Sequence, residues 1–180
     1  PILIAICCAY VWRLEHLNHN WNMIMASPIS AAQLYFAKLV VVSMLILLGQ
    51  ALFMGLYWLT GTLFSIPGSL PVETMGWSLR GWYASVSITA LQLGLSQRIR
   101  SFAMPIGISL CAVFIGLGLY VLNMGLYFPF SLLTIGMSVL SQDKLTGIEH
   151  MLFWLINLTF IVIFAAISIH HLKHRDIISA

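Results

Sequence analysis

Apolar runs punctuated by charges organise this chain. No charged residue falls between Lys38 and Glu73, and residues 39–59 fill the length of about 20 residues that a membrane-crossing helix needs. Residues 81–97, bounded by Arg80 and Arg98, form a shorter uncharged stretch, and residues 102–122 and 151–169 form two more spans. An Asp, Lys or Arg at the centre of such a span costs about 2.5–3.5 kcal/mol on insertion, and none stands there. Residues 1–12 are apolar but too short to cross, and they read as the end of a helix that starts before Pro1. The pattern thus predicts four complete transmembrane helices and the tail of a fifth.

Between the spans, residues 60–80 carry Pro67-Gly68 and Pro71 and are expected to form an external loop. The loop at 123–150 stays apolar as far as Leu140, with Pro129 interrupting it. That is too apolar for a free loop, and it suggests short helices dipping into the outer membrane face, where irregular backbone survives if protein buries it. No repeat, low-complexity tract or soluble domain is visible.

Composition turns the pattern into a class. Hydrophobic residues make up 61% of the chain and charged residues 7%. A soluble domain of this size cannot hide so much apolar surface, because its outside must be largely polar. The chain is therefore read as an all-α integral membrane protein, a polytopic helical bundle. Cys7, Cys8 and Cys111 are odd in number and lie in apolar runs, so they are expected to be buried and inert rather than disulfide-bonded or zinc-binding.

The net charge of +3 is better explained by topology than by a nucleic-acid partner. Alternating spans put Arg13, Lys38, Arg98, Arg100, Lys173 and Arg175 on one side, leaving Arg80 and Lys144 on the other. The excess of Lys and Arg near span ends marks the cytoplasmic side, so the C-terminus is expected in the cytoplasm.

Candidate chemistry is sparse. In residues 13–38, Leu17, Trp21, Ile24 and Met25 recur at helical spacing, which makes a short helix with one apolar stripe. Such a helix suits the membrane surface or a partner, although a plain interfacial linker would look the same. Pro28 ends it, and Ser30 with Gln33 three residues on predicts a capping box that starts the next helix. Ser85, Thr89, Gln92 and Ser96 line one face of the 81–97 helix and must meet other helices or water, as a polar path, a subunit interface or interhelical glue. Gln50 invites the same readings. Gly107 with Cys111 and Ala112 with Gly116 have the small-xxx-small spacing of close helix packing. His170 and His174 stand at i and i+4, but Lys173 and Arg175 interleave them, which favours a basic anchor over a metal site. Glu149 and His150 mark a water boundary. With no phosphate loop, nucleophile elbow, zinc helix or intramembrane carboxylate pair, no catalytic residue and no metal site is assigned, and any energy for transport must enter from another subunit.

The segment Glu15, Asn20-Trp21-Asn22-Met23-Ile24-Met25-Ala26-Ser27-Pro28-Ile29-Ser30, Leu34-Tyr35 and Lys38 resembles the ABC-2 type permeases, most of all the permease subunits of lantibiotic-immunity and bacitracin-type exporters. The resemblance implies six transmembrane helices per subunit and a separate cytoplasmic ATPase that holds ATP and magnesium, no cofactor being bound by this chain. It implies a second permease subunit, identical or not, a bacterial plasma membrane and a peptide substrate. It makes the chain an N-terminally truncated permease, cut inside its second helix. Glu15, Leu17, Asn20, Trp21, Ile24, Met25 and Pro28 would belong to the ATPase-facing coupling segment, with Trp21 as a rigid anchor. Lys38 would snorkel at the cytoplasmic interface. A membrane anchor or sensor that docks a cytoplasmic protein through the same segment is the alternative function.

Overall fold

The computed structural model describes residues 1–16, 29–64, 72–99, 101–140 and 147–174. Six α-helices occupy most of these: α1 (Ile2–His16), α2 (Ala31–Leu63), α3 (Val72–Arg98), α4 (Ala103–Val121), α5 (Pro129–Gly136) and α6 (Gly147–His174). A 3₁₀ turn at Gly125–Tyr127 precedes α5. Three helices, α2, α4 and α6, are long and apolar enough to cross a membrane, and α1 is a shorter apolar helix.

α2 starts where its cap is written. Ser30 Oγ accepts from the Gln33 amide at 3.2 Å, and Gln33 Oε1 accepts from the Ser30 amide at 2.9 Å. The two bonds satisfy donors that a helix start otherwise leaves bare. One stripe of α2, Tyr35, Lys38, Leu39, Val42 and Ser43, is buried at helical spacing. Beyond Gly49 the helix is almost wholly exposed, with Leu52, Phe53, Leu56, Tyr57 and Trp58 facing outward.

The expected loop at 60–80 is much shorter than the punctuation implied, because α2 runs on to Leu63 and α3 begins at Val72. Thr60 and Thr62 do not break α2, since their hydroxyls donate to carbonyls of its preceding turn. Proline is compatible with the first turn of a helix, so a proline in an apolar stretch can announce a helix rather than forbid it. Pro129 does the same as the first residue of α5. α5 and the 3₁₀ turn fold back under the ends of the longer helices and bury Phe130, Ser131, Leu132 and Gly136. Two residues outside glycine hold left-handed backbone at the joints of this short helical piece, Asn123 at φ 58° and Ser138 at φ 48°.

α3 is the hub. It packs against all five other helices: Ile88, Ala90 and Leu93 sit in the core with Cys8 and Trp12 of α1, Tyr35 and Val42 of α2, and Ala165 and Leu172 of α6, and Ala84 packs with Leu132 of α5 and Phe153 of α6. Its Ser, Thr and Gln content keeps it out of the apolar class, a composition that only a helix shielded from lipid by its neighbours tolerates. The cysteines do not share one environment. Cys8 is buried and Cys7 half-buried, but Cys111 is exposed on the outer face of α4. An apolar run does not reveal which side of a helix faces lipid. For the same reason Gly107 packs against nothing, while Gly116 lies tight against Phe130 and Ser131.

Candidate functional site

Hydrogen bonds and ring contacts gather Arg13, Lys38, Gln97 and His171 at one end of the bundle. Lys38 does not snorkel to the surface. It is 6% exposed, its Nζ donates to the Val11 carbonyl of α1 at 3.2 Å, and it sits 4.4 Å from the centre of the Trp12 ring. A buried ammonium needs such substitutes for water, and a carbonyl in the last turns of a helix, where the dipole is negative, together with an aromatic face supplies them. Arg13 stacks 5.5 Å from the Phe102 ring at the start of α4. The end of α1 is thereby fastened to α2 on one side and to α4 on the other.

That fastening brackets the predicted coupling segment. Leu17, Asn20, Trp21, Ile24, Met25 and Pro28 lie outside the described residues, and Glu15 belongs to the last turn of α1. What the structure gives is the segment's two flanks, the C-terminal turn of α1 and the capped start of α2, joined through Lys38.

The polar stripe of α3 is enclosed by the chain's own helices. Ser85, Thr89, Gln92 and Ser96 are all buried, and Gln50 on α2 is half-buried. Ser85 donates to the Gly81 carbonyl at 2.8 Å and Thr89 to the Ser85 carbonyl at 2.7 Å, so neither bridges to another helix. Gln92 is 0% exposed, and neither its amide nitrogen nor its oxygen has a partner among the described residues. Ser43 Oγ, Gln50 Oε1, Ser96 Oγ and Ser109 Oγ are likewise buried without one. Unmade hydrogen bonds cost about 1–3 kcal/mol each.

The interhelical bonds come from residues that the spacing argument did not select. Ser87 Oγ donates to Asn157 Oδ1 at 2.9 Å, tying α3 to α6. Tyr35 Oη donates to the Ala90 carbonyl at 3.0 Å, and Trp82 Nε1 to the Ser43 carbonyl at 2.9 Å, tying α2 to α3. Gln97 Nε2 donates to the Ser168 carbonyl at 3.3 Å and lies 3.3 Å from His171 Nδ1. Asn157 had a readable signal, a lone amide in the middle of an apolar helix. Ser87 had none, because it falls on the flank of the serine stripe.

Chemically, the site offers buried hydrogen-bonding groups and a mechanical junction. No group of three His, Cys, Asp or Glu side chains converges among the described residues. His170 is exposed, and the side chain of His174 lies outside the description. At the opposite end of the bundle Arg80, His150, Trp154 and Tyr83 form a second polar cluster.

A family model described as ABC-2 family transporter protein matches residues 1–116, which cover α1, the undescribed segment, α2, α3 and most of α4. No curated protein and no solved structure matches.

Proposed function

The chain belongs to the ABC-2 transporter family, and from that footing we propose that it is the permease subunit of an ATP-driven exporter that expels a lantibiotic or similar antimicrobial peptide from the membrane. A multi-pass membrane bundle with a transporter family match is a transport subunit. ATP hydrolysis would occur on a separate cytoplasmic ATPase, and two permease subunits, identical or paired with a homologue, would form the complex. The basic end would face the cytoplasm of a bacterium, with the C-terminus on the same side.

The buried Lys38 tether carries this reading. A force applied to the 17–28 segment must leave it through α1 or α2, and Lys38 makes those two flanks one unit. Both helices pack on α3, which in turn packs on α6. Closure of the ATPases against Glu15, Leu17, Asn20, Trp21, Ile24, Met25 and Pro28 would therefore move the hub helix. The unpartnered groups along it, Gln92 and Ser96, with Gln50 opposite and Ser85 and Thr89 between, would become the polar lining of a path when the helices part.

Trp21→Ala and Glu15→Ala are the test. Each should abolish most peptide resistance and lower ATPase co-purification while leaving the amount of permease in the membrane unchanged. Full resistance in both variants would remove the coupling role, and capture of a kinase in place of an ATPase would favour an anchor or sensor.

A further inference from the structure

At the end of the bundle away from Lys38, two side chains that donate hydrogen bonds meet at one imidazole. Arg80 Nη1 on α3 lies 3.4 Å from His150 Nε2 on α6, and Trp154 Nε1 donates to His150 Nδ1 at 3.0 Å. Tyr83 braces the indole, its ring 4.5 Å from that of Trp154 and its hydroxyl directed at the Trp154 carbonyl at 3.4 Å. The back wall is α5, whose Gly136 sits against the Arg80 backbone and the Phe153 ring.

The donors outnumber the acceptors. A neutral imidazole accepts at one nitrogen and donates at the other, and a charged one donates at both. Guanidinium and indole only donate, so the ring satisfies at most one of them and turns an N–H toward the other. Arg80 Nε is buried without a partner among the described residues. The ring nitrogen is thus the sole acceptor that the described contacts of Arg80 supply for its five N–H groups. An oxyanion with several acceptor oxygens is the group that completes such a set, because guanidinium forks match its geometry and charge-assisted bonds are the strong ones.

Surroundings select the source of the anion. Met75 and Leu79 on α3 and Met151 and Leu152 on α6 are exposed beside the cluster. These are surfaces for hydrocarbon, while Trp and Tyr take the headgroup level of a bilayer. A free phosphate has no use for them; a phosphate carrying two acyl chains does. We propose that Arg80, His150 and Trp154 form a headgroup site for an anionic phospholipid in the leaflet opposite the basic end. The site depends on the membrane bundle and not on the identity of the exported molecule.

The test uses the whole protein, purified in an uncharged detergent and stripped of lipid. It is titrated with phosphatidylglycerol, with diacylglycerol of the same chains and with inorganic phosphate, and bound ligand is counted by native mass spectrometry beside the melting temperature. Phosphatidylglycerol should bind and raise the melting temperature, and the other two should do neither. Arg80→Gln should weaken phosphatidylglycerol binding about tenfold, and Arg80→Lys, which keeps the charge and loses the fork, by a smaller factor. Equal binding of diacylglycerol would leave an acyl groove without anion recognition and overturn the proposal. So would displacement of the lipid by millimolar phosphate, or undiminished binding in Arg80→Gln. The wild-type comparison of the three ligands stands even if a variant fails to fold.

Discussion

Lys38 and Trp12 illustrate how unequal two members of one contact are. Replacing the ammonium by a thioether of similar length removes a buried charge and leaves the Val11 carbonyl inside a helix that already uses it. Exchanges of a buried charge for a well-packed apolar group are commonly near neutral. Removing the indole instead opens a cavity and leaves the charge without its aromatic face, a loss of about 3–5 kcal/mol for a core tryptophan. Lys38→Met is therefore expected to shift unfolding of the purified protein by less than about 1 kcal/mol and Trp12→Ala by at least about 3 kcal/mol. Detergent melts of the two variants beside the parent protein check the order; equal losses would mean that the cation supports the junction as much as the ring does. The sequence places Lys38 at the mouth of a span, where a lysine ordinarily reaches for water. Its inward turn depends on Trp12 arriving from another helix, and spacing within α2 carries no trace of that.

At the scale of elements, the informative contacts are between backbones. A Cβ on Gly116 of α4 would stand 3.0 Å from Phe130 Cβ and 3.1 Å from the Ser131 amide nitrogen, and one on Gly136 of α5 would stand 3.2 Å from the Arg80 carbonyl oxygen. Backbone cannot move aside as a methionine side chain can. Gly116→Val and Gly136→Val should each destabilise the bundle by about 1–3 kcal/mol, whereas Gly107→Val, which meets nothing within 4 Å, should be neutral. Melting temperatures of the three variants decide this. The capping box of α2 was legible because Ser30 and Gln33 act on each other over three residues, and a short helix near Pro129 was legible from misplaced apolarity. The choice between Gly107 and Gly116 was not, since both pairs have the same spacing and only the position of α5 separates them. The bonds of the serine stripe were hidden for a related reason: Ser85 and Thr89 donate to carbonyls of their own helix, which spacing alone does not reveal.

For the whole molecule, composition alone specified an all-α membrane bundle, because lipid is the one solvent that accepts so much apolar exterior. The hub position of α3 was hidden, for its polarity looked like a weak span rather than the most enclosed helix. Orientation is a separate matter, for which the expectation rests on six basic residues against two. In intact cells, a cysteine at Asn123 should react with a membrane-impermeant maleimide and a cysteine at Ser101 should react only after the membrane is opened. The background is a Cys111→Ser protein, because Cys111 is exposed. The reverse labelling would invert the topology and with it the side on which an ATPase docks.

The lengths of α2 and α4 cannot both suit one bilayer. At 1.5 Å per residue the 33 residues of α2 extend about 50 Å and the 19 of α4 about 28 Å. A hydrocarbon core of about 30 Å fits α4 upright, while even a steep lean of about 40° leaves α2 too long. The last turns of α2, beyond Tyr57 and Trp58, must then stand clear of the lipid tails. Hydrophobic mismatch thus acts unequally on the bundle: a thinner membrane leans α2 further and leaves α4 in place. Because α2 carries Lys38 at its other end, bilayer thickness becomes a lever on the same junction that a partner would push.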